Sequence, residues 1–215
     1  MTARRPPPRS DPPSTSRPAS GRSQRAGAAT RAAPHELRII GGLWRRSRLP
    51  VPDAPGLRPT PDRVRETLFN WLGQDLAGWS VLDAYAGSGA LGFEAASRGA
   101  SPVVLLERDA RLAAGLRAVR ERLQAQAVEV HTADALAWMH RCTQRFGLVL
   151  LDPPFADDRL LPLQAALPLL LPDGWLYLES GEPLSEQQAA ALGLALHRFG
   201  RAGAVHYHLL RRAGG

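Results

Sequence analysis

The chain contains no lysine: all 27 of its Lys and Arg residues are arginine. An arginine-only complement gives up flexible ammonium groups and keeps planar guanidinium forks, which bind phosphate in a bidentate manner. A nucleic-acid partner fits this, and so does the codon bias of a GC-rich genome. Cysteine is nearly absent as well. With Cys142 alone, no internal disulfide framework and no thiolate-based zinc site can form, which suits a reducing compartment. Long apolar runs are also missing. The best candidate, residues 160–171, is interrupted by Pro162, Gln164 and Pro168 and falls short of the roughly 20 residues a membrane span needs. The six histidines show no H-E-x-x-H or comparable ligand spacing. Neither a membrane nor a metal is therefore expected to take part, and a cytoplasmic monomer is the expected state.

What is present is ordinary globular material. The 215 residues, 44% hydrophobic and 22% charged, suffice for one α/β domain with a substantial core. The net charge of +7 is unevenly spread. Residues 1–35 hold seven Arg against one acid, residues 36–65 seven against three, and residues 66–215 thirteen against sixteen. A basic N-terminal part thus precedes a slightly acidic body. The first 35 residues contain seven prolines, five serines and no Val, Ile, Leu, Phe, Trp or Tyr. A segment with nothing to bury cannot offset the entropy of ordering, so 1–35 is expected to be a disordered basic tail. An organelle-targeting peptide would need an apolar helical face, which this segment lacks.

Ordered sequence is expected from about Leu37. Leu37–Ile40 and Leu43–Val51 read as two strands of a small hairpin around Gly41-Gly42,. Thr60-Pro61-Asp62 reads as a helix start, with Thr60 as N-cap and Pro61 as the first helical residue,. Val64, Leu68 and Trp71 give that helix an apolar face, with Arg63, Glu66 and Asn70 on another,. From Ser80 onward strands and helices alternate: Val81–Tyr85, Pro102–Glu107, Val128–His131, Phe146–Leu151 and Gly174–Glu179 as strands, with helices between them, among them Leu160–Leu171, and a helix over Leu184–Leu192 after the fifth strand. Continuous apolar strands in such an alternation predict a parallel sheet covered on both faces. Two closing strands near Ala195–Arg198 and Val205–Leu210, joined by a short link, predict an antiparallel end pair,. His206 and His208 alternate on the last strand and are expected to share a solvent face.

Two motifs carry chemistry. Gly87, Ser88, Gly89 and Gly92 join the first strand of the alternation to its helix in a G-x-G-x-x-G pattern, where a nucleotide-like ligand can approach the backbone,. Glu107, eighteen residues after Gly89, ends the second strand where ribose hydroxyls would be read,. A nicotinamide enzyme fits that much. Asp83, four residues before Gly87, is poorly placed beside a pyrophosphate and suits a ligand with an ammonium or sulfonium centre, such as S-adenosylmethionine. Asp134, followed by Ala135 after the third strand, either reads an adenine edge or caps a helix. The second motif is Asp152-Pro153-Pro154-Phe155, delivered by an apolar strand to the carboxyl edge of the sheet,. Methylating an exocyclic amine requires its nitrogen lone pair to be freed from conjugation and aimed. The Asp152 carboxylate and Pro153 carbonyl can accept from the NH₂, the prolines stiffen the turn, and Phe155 can stack on a planar base.

By these motifs the chain resembles the RsmD family of bacterial 16S ribosomal RNA guanine-N2 methyltransferases. The likeness runs from about 37 to 211. It is carried by Arg38 to Arg45, by the block Gly56 to Leu72, by the glycine loop and by Asp152 to Phe155. It implies a class I S-adenosylmethionine-dependent methyltransferase fold: a Rossmann-like seven-stranded sheet with the last strand antiparallel, here with a small N-terminal hairpin. It also implies S-adenosylmethionine as cofactor, and methyl transfer to N2 of a specific guanine, the guanine 966 type, in the small ribosomal subunit or its assembly intermediate. Asp83, Gly87, Gly89, Glu107 and Asp134 fall on cofactor positions and Asp152 to Phe155 on the catalytic loop, with Ser88 and Ala135 flanking. Where the family usually has glycine, this chain has Arg46, which puts a charge into the hairpin.

The implied organisation is a tail (1–35), an RNA-facing hairpin and helix (36–72) and a catalytic domain (73–215). Arg38, Arg45, Arg46 and Arg48 surround Trp44 and form a patch able to hold phosphates, with Trp44 either stacking on a base or packing on the body. Arg63 and Arg65 can meet RNA or the cofactor carboxylate; a surface pair of Arg63 with Glu66 is the plainer alternative. A DNA adenine-N6 or protein-glutamine methyltransferase shares the proline loop, and a non-catalytic RNA-binding assembly factor would need only the basic N-terminus.

Overall fold

Residues 35–53, 60–154 and 158–213 are described in the computed structural model of the chain. Residues 1–34 of the expected disordered tail, residues 56–59 of the N-terminal block and Phe155 lie outside the described residues, while His35, expected as the tail's last residue, opens the first strand.

The N-terminal hairpin pairs β1 (His35–Arg38) with β2 (Arg48–Val51) antiparallel, Leu37 opposite Leu49. Strand β2 is shorter than its apolar pattern predicts. Gly42 and Arg46 both take positive φ, +74° and +70°, so residues 41–47 turn away from the ladder. They bind instead to the end of a helix from the body: Leu43 N–H donates to Ser97 O at 2.7 Å and Trp44 N–H to Ser97 Oγ at 2.9 Å. A side chain at Gly42 would put its Cβ 1.8 Å from the Ser97 carbonyl oxygen, so only glycine permits this contact.

Helix α1 (Asp62–Trp71) begins one residue later than its sequence suggests. Pro61 precedes the first helical residue and no side chain caps the helix; its carbonyl takes the first turn's N–H bonds from Val64 and Arg65. Thr60 is buried and committed elsewhere. Val64, Leu68 and Phe69 are fully buried, each stabilising the fold by roughly 1.5–3 kcal/mol. Arg63, Glu66 and Asn70 face solvent together as predicted.

The body is a seven-stranded sheet of β3 (Val81–Asp83), β4 (Val103–Glu107), β5 (Val128–Thr132), β6 (Phe146–Leu151), β7 (Leu170–Ser180), β8 (Leu194–Ala202) and β9 (Val205–Arg212), in the order β5-β4-β3-β6-β7-β9-β8. Strands β3 to β7 are parallel, and β9 runs antiparallel to both its neighbours, β7 and β8. This is the class I methyltransferase arrangement. Helices α2 (Ala90–Ser97), α3 (Ala110–Arg122), α4 (Ala135–Met139), α5 (Leu160–Ala166) and α6 (Glu186–Ala191) complete the domain. Leu37, Ile39, Val64 and Phe69 of the N-terminal elements share one buried cluster with Phe93, Leu105, Leu150 and Tyr177 on one sheet face, while Leu82, Val149, Leu163 and Leu178 belong to a second cluster.

Helix α5 is shorter and β7 longer than the sequence pattern implies. Pro168 lacks the N–H that a continuing helix requires, and Leu167–Leu169 close as a single 3₁₀ turn before β7 starts at Leu170. The expected solvent face for the two histidines is corrected. His208 is 1% exposed, its Nε2 accepting from Leu184 N–H at 3.0 Å, and burial holds its pKa below the ordinary imidazole value. The reason is that the segment leading into α6 covers this side of β9, with Leu184 packed against the imidazole.

Candidate active site

Three parallel strands end side by side and each delivers an acid. In β3–β6 pairing Asp83 lies opposite Leu150, and in β6–β7 pairing Leu150 lies opposite Tyr177 and Leu151 opposite Leu178. Asp152 is two residues beyond Leu150, and Glu179 two beyond Tyr177. The two-residue period of a strand therefore turns Asp83, Asp152 and Glu179 to one face, the face on which the N-terminal elements pack,.

Asp83 is 1% exposed. It accepts from Gly92 N–H at 2.9 Å and from the backbone of Tyr85, and burial, reinforced by the Glu107 and Glu179 charges, pushes its pKa up to about 7 despite those bonds. Among the described residues no arginine pairs with it. A buried acid without a cation fits a positively charged ligand. Beside it the glycine loop turns with Gly87 and Gly89 at positive φ. A Cβ on Gly89 would lie 2.6 Å from Phe93 and 2.7 Å from Leu116, so the loop stays flat against the helix that follows. Ser88 is buried in this loop.

Glu107 is brought to the same loop from β4. Its two carboxylate oxygens accept from Gly87 N–H at 3.0 Å and Asp109 N–H at 2.8 Å, which fixes the carboxylate at the mouth of the turn. Asp134 takes the capping alternative, accepting from Ala137 N–H at 2.9 Å at the start of α4, with Ala135 buried behind it. Capping uses Oδ1 only, and the carboxylate stands at the same sheet edge as Asp83 and Glu107,.

Asp152 is half-buried, and burial together with the Glu179 and Asp83 charges raises its pKa well above the ordinary carboxylate value. Pro153 is buried, Pro154 exposed. Pro153, Pro154, Glu179, Ser180 and Arg159 line an open cavity of about 180 Å³, with an Arg159–Glu182 ion pair of 2.9 Å at its side.

Sequence reading did not single out Glu179. It is 2% exposed, Tyr177 Oη donates to its Oε1 at 2.9 Å, and the Thr60 hydroxyl donates to it as well. Burial raises its pKa, against the pull of those two donors. Burial and the Glu179 charge likewise keep the Tyr177 hydroxyl protonated and able to donate. The available signal was an acid at the carboxyl end of an apolar strand followed by Gly181, the same signal that marks Asp152.

The basic N-terminal candidates divide. Arg38, Arg45, Arg46 and Arg63 are exposed and make no ion pair among the described residues. Arg48 is exposed but pairs with Glu36 at 2.7 Å, and its carbonyl accepts from Arg122. Trp44 is half-buried and packs against the core. Arg65, a candidate for RNA or cofactor, is neither: it is fully buried. Its guanidinium binds Asp62 at 2.6 Å, Glu94 at 3.3 Å, the Arg38 carbonyl at 2.9 Å and the Thr60 carbonyl at 3.3 Å. Glu94, also fully buried, accepts in addition from Ile40 N–H and Gly41 N–H at 2.8 Å and from Arg98 at 2.8 and 3.0 Å. This ion cluster bolts the hairpin and α1 onto α2.

Comparison with known proteins matches residues 37–211 to the family described as Conserved hypothetical protein 95. Ribosomal RNA small subunit methyltransferase D of Escherichia coli K12 is 42% identical over 183 residues, covering 82% of this chain and 90% of that protein. The protein of the same name from Haemophilus influenzae is 43% identical over 145 residues, 66% of this chain and 74% of that one. Among solved structures, yhhF of Escherichia coli superposes with a TM-score of 0.73 at 38% identity, over 84% of this chain and 100% of that one. The Thermus thermophilus 16S rRNA N2 G1207 methyltransferase RsmC, solved with AdoMet and guanosine, shares the fold at 22% identity and a TM-score of 0.63, over 83% of this chain and 49% of that one.

Proposed function

This chain belongs to the family of ribosomal RNA small subunit methyltransferase D, and on that premise we propose that it methylates the exocyclic N2 of a guanine in small-subunit ribosomal RNA, with S-adenosylmethionine as donor. The observation that carries this reading is the meeting of Asp83 and Asp152 on one face at the carboxyl edge of adjacent strands, which sets a cation-seeking acid beside an amine-seeking one. When bound, the donor supplies an electrophilic methyl group on a positively charged sulfur. Asp83 would favour that charge, the Gly87–Gly89 turn would offer backbone to the donor, and Glu107 and Asp134 would offer carboxylates to its ribose and adenine.

The chemistry asked of the protein is mostly positioning. Asp152 and the Pro153 carbonyl accept the two amine hydrogens, which turns the nitrogen lone pair out of conjugation with the ring. The methyl group would leave the sulfonium sulfur, which departs as a neutral thioether, and the proton the newly methylated nitrogen must lose would pass to Asp152; a carboxylate pushed toward neutrality is a better acceptor than an ordinary one,. Phe155 is assigned the stacking role on sequence alone. Residues 36–72 are the RNA-facing part, with Arg38, Arg45, Arg46, Arg48 and Arg63 engaging phosphates, and the target guanine must be single-stranded or unstacked to enter. The partner is the small subunit or its assembly intermediate, met in the cytoplasm by a monomer.

Transfer of labelled methyl from S-adenosylmethionine to small subunits from a strain lacking the enzyme tests the reading. Wild type labels the RNA and Asp152→Ala loses at least about 100-fold in rate. No label with wild type, or full label with Asp152→Ala, overturns it.

A further inference from the structure

We infer that Glu179 is a specificity-determining residue of this site: its carboxylate accepts the N1–H of the guanine whose N2 amine Asp152 and Pro153 hold, and so separates guanine from purines without a hydrogen at N1. The inference rests on the proposed reading that the site methylates a guanine amine.

Register places the two acids together. Leu151 and Leu178 are partners in the β6–β7 ladder, so Asp152 and Glu179 each stand one step beyond a paired position and turn to the same face. Glu179 lines the cavity along with Pro153 and Pro154, although it is only 2% exposed. Its carboxylate is withdrawn from bulk water and lies close enough to Asp152 for the two charges to oppose each other.

A purely structural role explains this poorly. Neighbouring Leu176 and Leu178 fill their positions with apolar side chains, whereas a buried carboxylate without a cationic partner is costly. Among the described residues no arginine pairs with Glu179. Its partners are instead two hydroxyls, Tyr177 Oη at 2.9 Å and the Thr60 side chain. Both donate, so both favour the ionised, accepting form and fix its direction. A carboxylate offers about four acceptor sites, and two hydroxyls leave the others for a ligand.

Guanine matches that arrangement. Its N1–H and N2 hydrogens are neighbours on one edge and point the same way, so two adjacent acceptors can take both. Adenine and 2-aminopurine present a bare nitrogen lone pair at N1, which would face the carboxylate and be repelled. 2-Aminopurine still carries the 2-amino group and so isolates the N1 contact from the amine contact.

The test uses small subunits reconstituted with RNA bearing guanine or 2-aminopurine at the nucleotide wild type modifies, comparing kcat/KM of methyl transfer. Wild type should prefer guanine by about 100-fold or more, because a site built to accept a hydrogen rejects the analogue lacking it. In Glu179→Gln the side-chain amide can donate to a bare N1, so the guanine rate falls while the 2-aminopurine rate holds or rises. The preference should shrink about tenfold or more. Equal losses on both bases, or a wild type that accepts both equally, overturn the inference while leaving the methyltransferase reading intact. A wild type inactive on the guanine particle overturns that reading, and the inference with it. Thermal unfolding and S-adenosylhomocysteine binding check that Glu179→Gln is folded. Should it not fold, Tyr177→Phe decides: it keeps the carboxylate and removes one orienting donor, and an unchanged base preference in that variant overturns the inference.

Discussion

Replacing Glu94 by alanine should be among the most damaging single changes in the domain. Glu94 is fully buried and its two oxygens serve Ile40 N–H, Gly41 N–H, Arg65 and Arg98. Its loss leaves two guanidiniums inside the protein with fewer counter-charges and two backbone N–H groups unanswered. Breaking a buried ion pair by removing one partner costs about 3–5 kcal/mol, and an unsatisfied buried donor about 1–3. Arg65 retains Asp62 and two carbonyls, and Arg98 retains Gln74 and its place over the Phe69 ring at 4.7 Å. The terms therefore do not add fully, and a net loss of about 5 kcal/mol is expected, a large share of a domain's total stability of about 5–15 kcal/mol. Thermal unfolding should fall by roughly 10–20 °C. Hydrogen exchange should show the loss first at Ile40 and Gly41 amides. In a double-mutant cycle with Arg98→Met, the coupling should exceed about 1.5 kcal/mol. A destabilisation below about 1 kcal/mol, or additive effects in the cycle, would refute the view that this cluster bolts the N-terminal elements to α2.

Two further outcomes concern charge. Asp83 has its native pKa raised from the ordinary 3.8 to about 7, so the folded state binds this proton more tightly than the unfolded chain does. It favours folding at acid pH, and that advantage drains away as pH climbs from about 4 to about 7. Asp83→Asn should then be more stable than wild type above pH 7, by an amount on the order of 4 kcal/mol, and lose that advantage near pH 4, while cofactor affinity drops. Urea unfolding at the two pH values decides it, and a gain independent of pH would contradict the assignment. Arg46 sits at φ +70°, where a non-glycine residue bears a strain of about 1–2 kcal/mol. Arg46→Gly should leave stability unchanged or raise it by up to about 1 kcal/mol, yet weaken RNA binding and reduce its salt slope by about 1; binding measured across a salt series would expose an error if the slope stayed the same.

Much of this architecture is legible in the chain. The apolar run Phe146–Leu151 ending in Asp152 announces a buried strand that carries an acid to the sheet edge, and Asp109 announces the start of α3, where it accepts from Arg111 and Leu112 N–H. What escapes local reading is whatever depends on a distant partner. Nothing within a few residues of Thr60 reveals that its hydroxyl goes to Glu179 instead of to the helix it precedes. Arg65 reads by residue type as a cation for RNA or cofactor, although helical spacing sets it beside Leu68 and Phe69; the packing of Glu94 from α2 against it, with Asp62, makes its burial tolerable. The burial of His208 likewise follows from the packing of Leu184, 24 residues earlier, over that side of β9, which no pattern inside the strand encodes.

Thr60 and Arg65 have a consequence for anyone wishing to retarget the enzyme. The same short stretch that leads into α1 lends a hydroxyl to Glu179 and a guanidinium to the core of the body. Residues 36–72 are accordingly not a cassette that can be exchanged by itself. A chimera joined at the start of the sheet would take Thr60 from Glu179, and Arg65 and the Ile40 and Gly41 amides from Glu94, leaving Glu94 with Arg98.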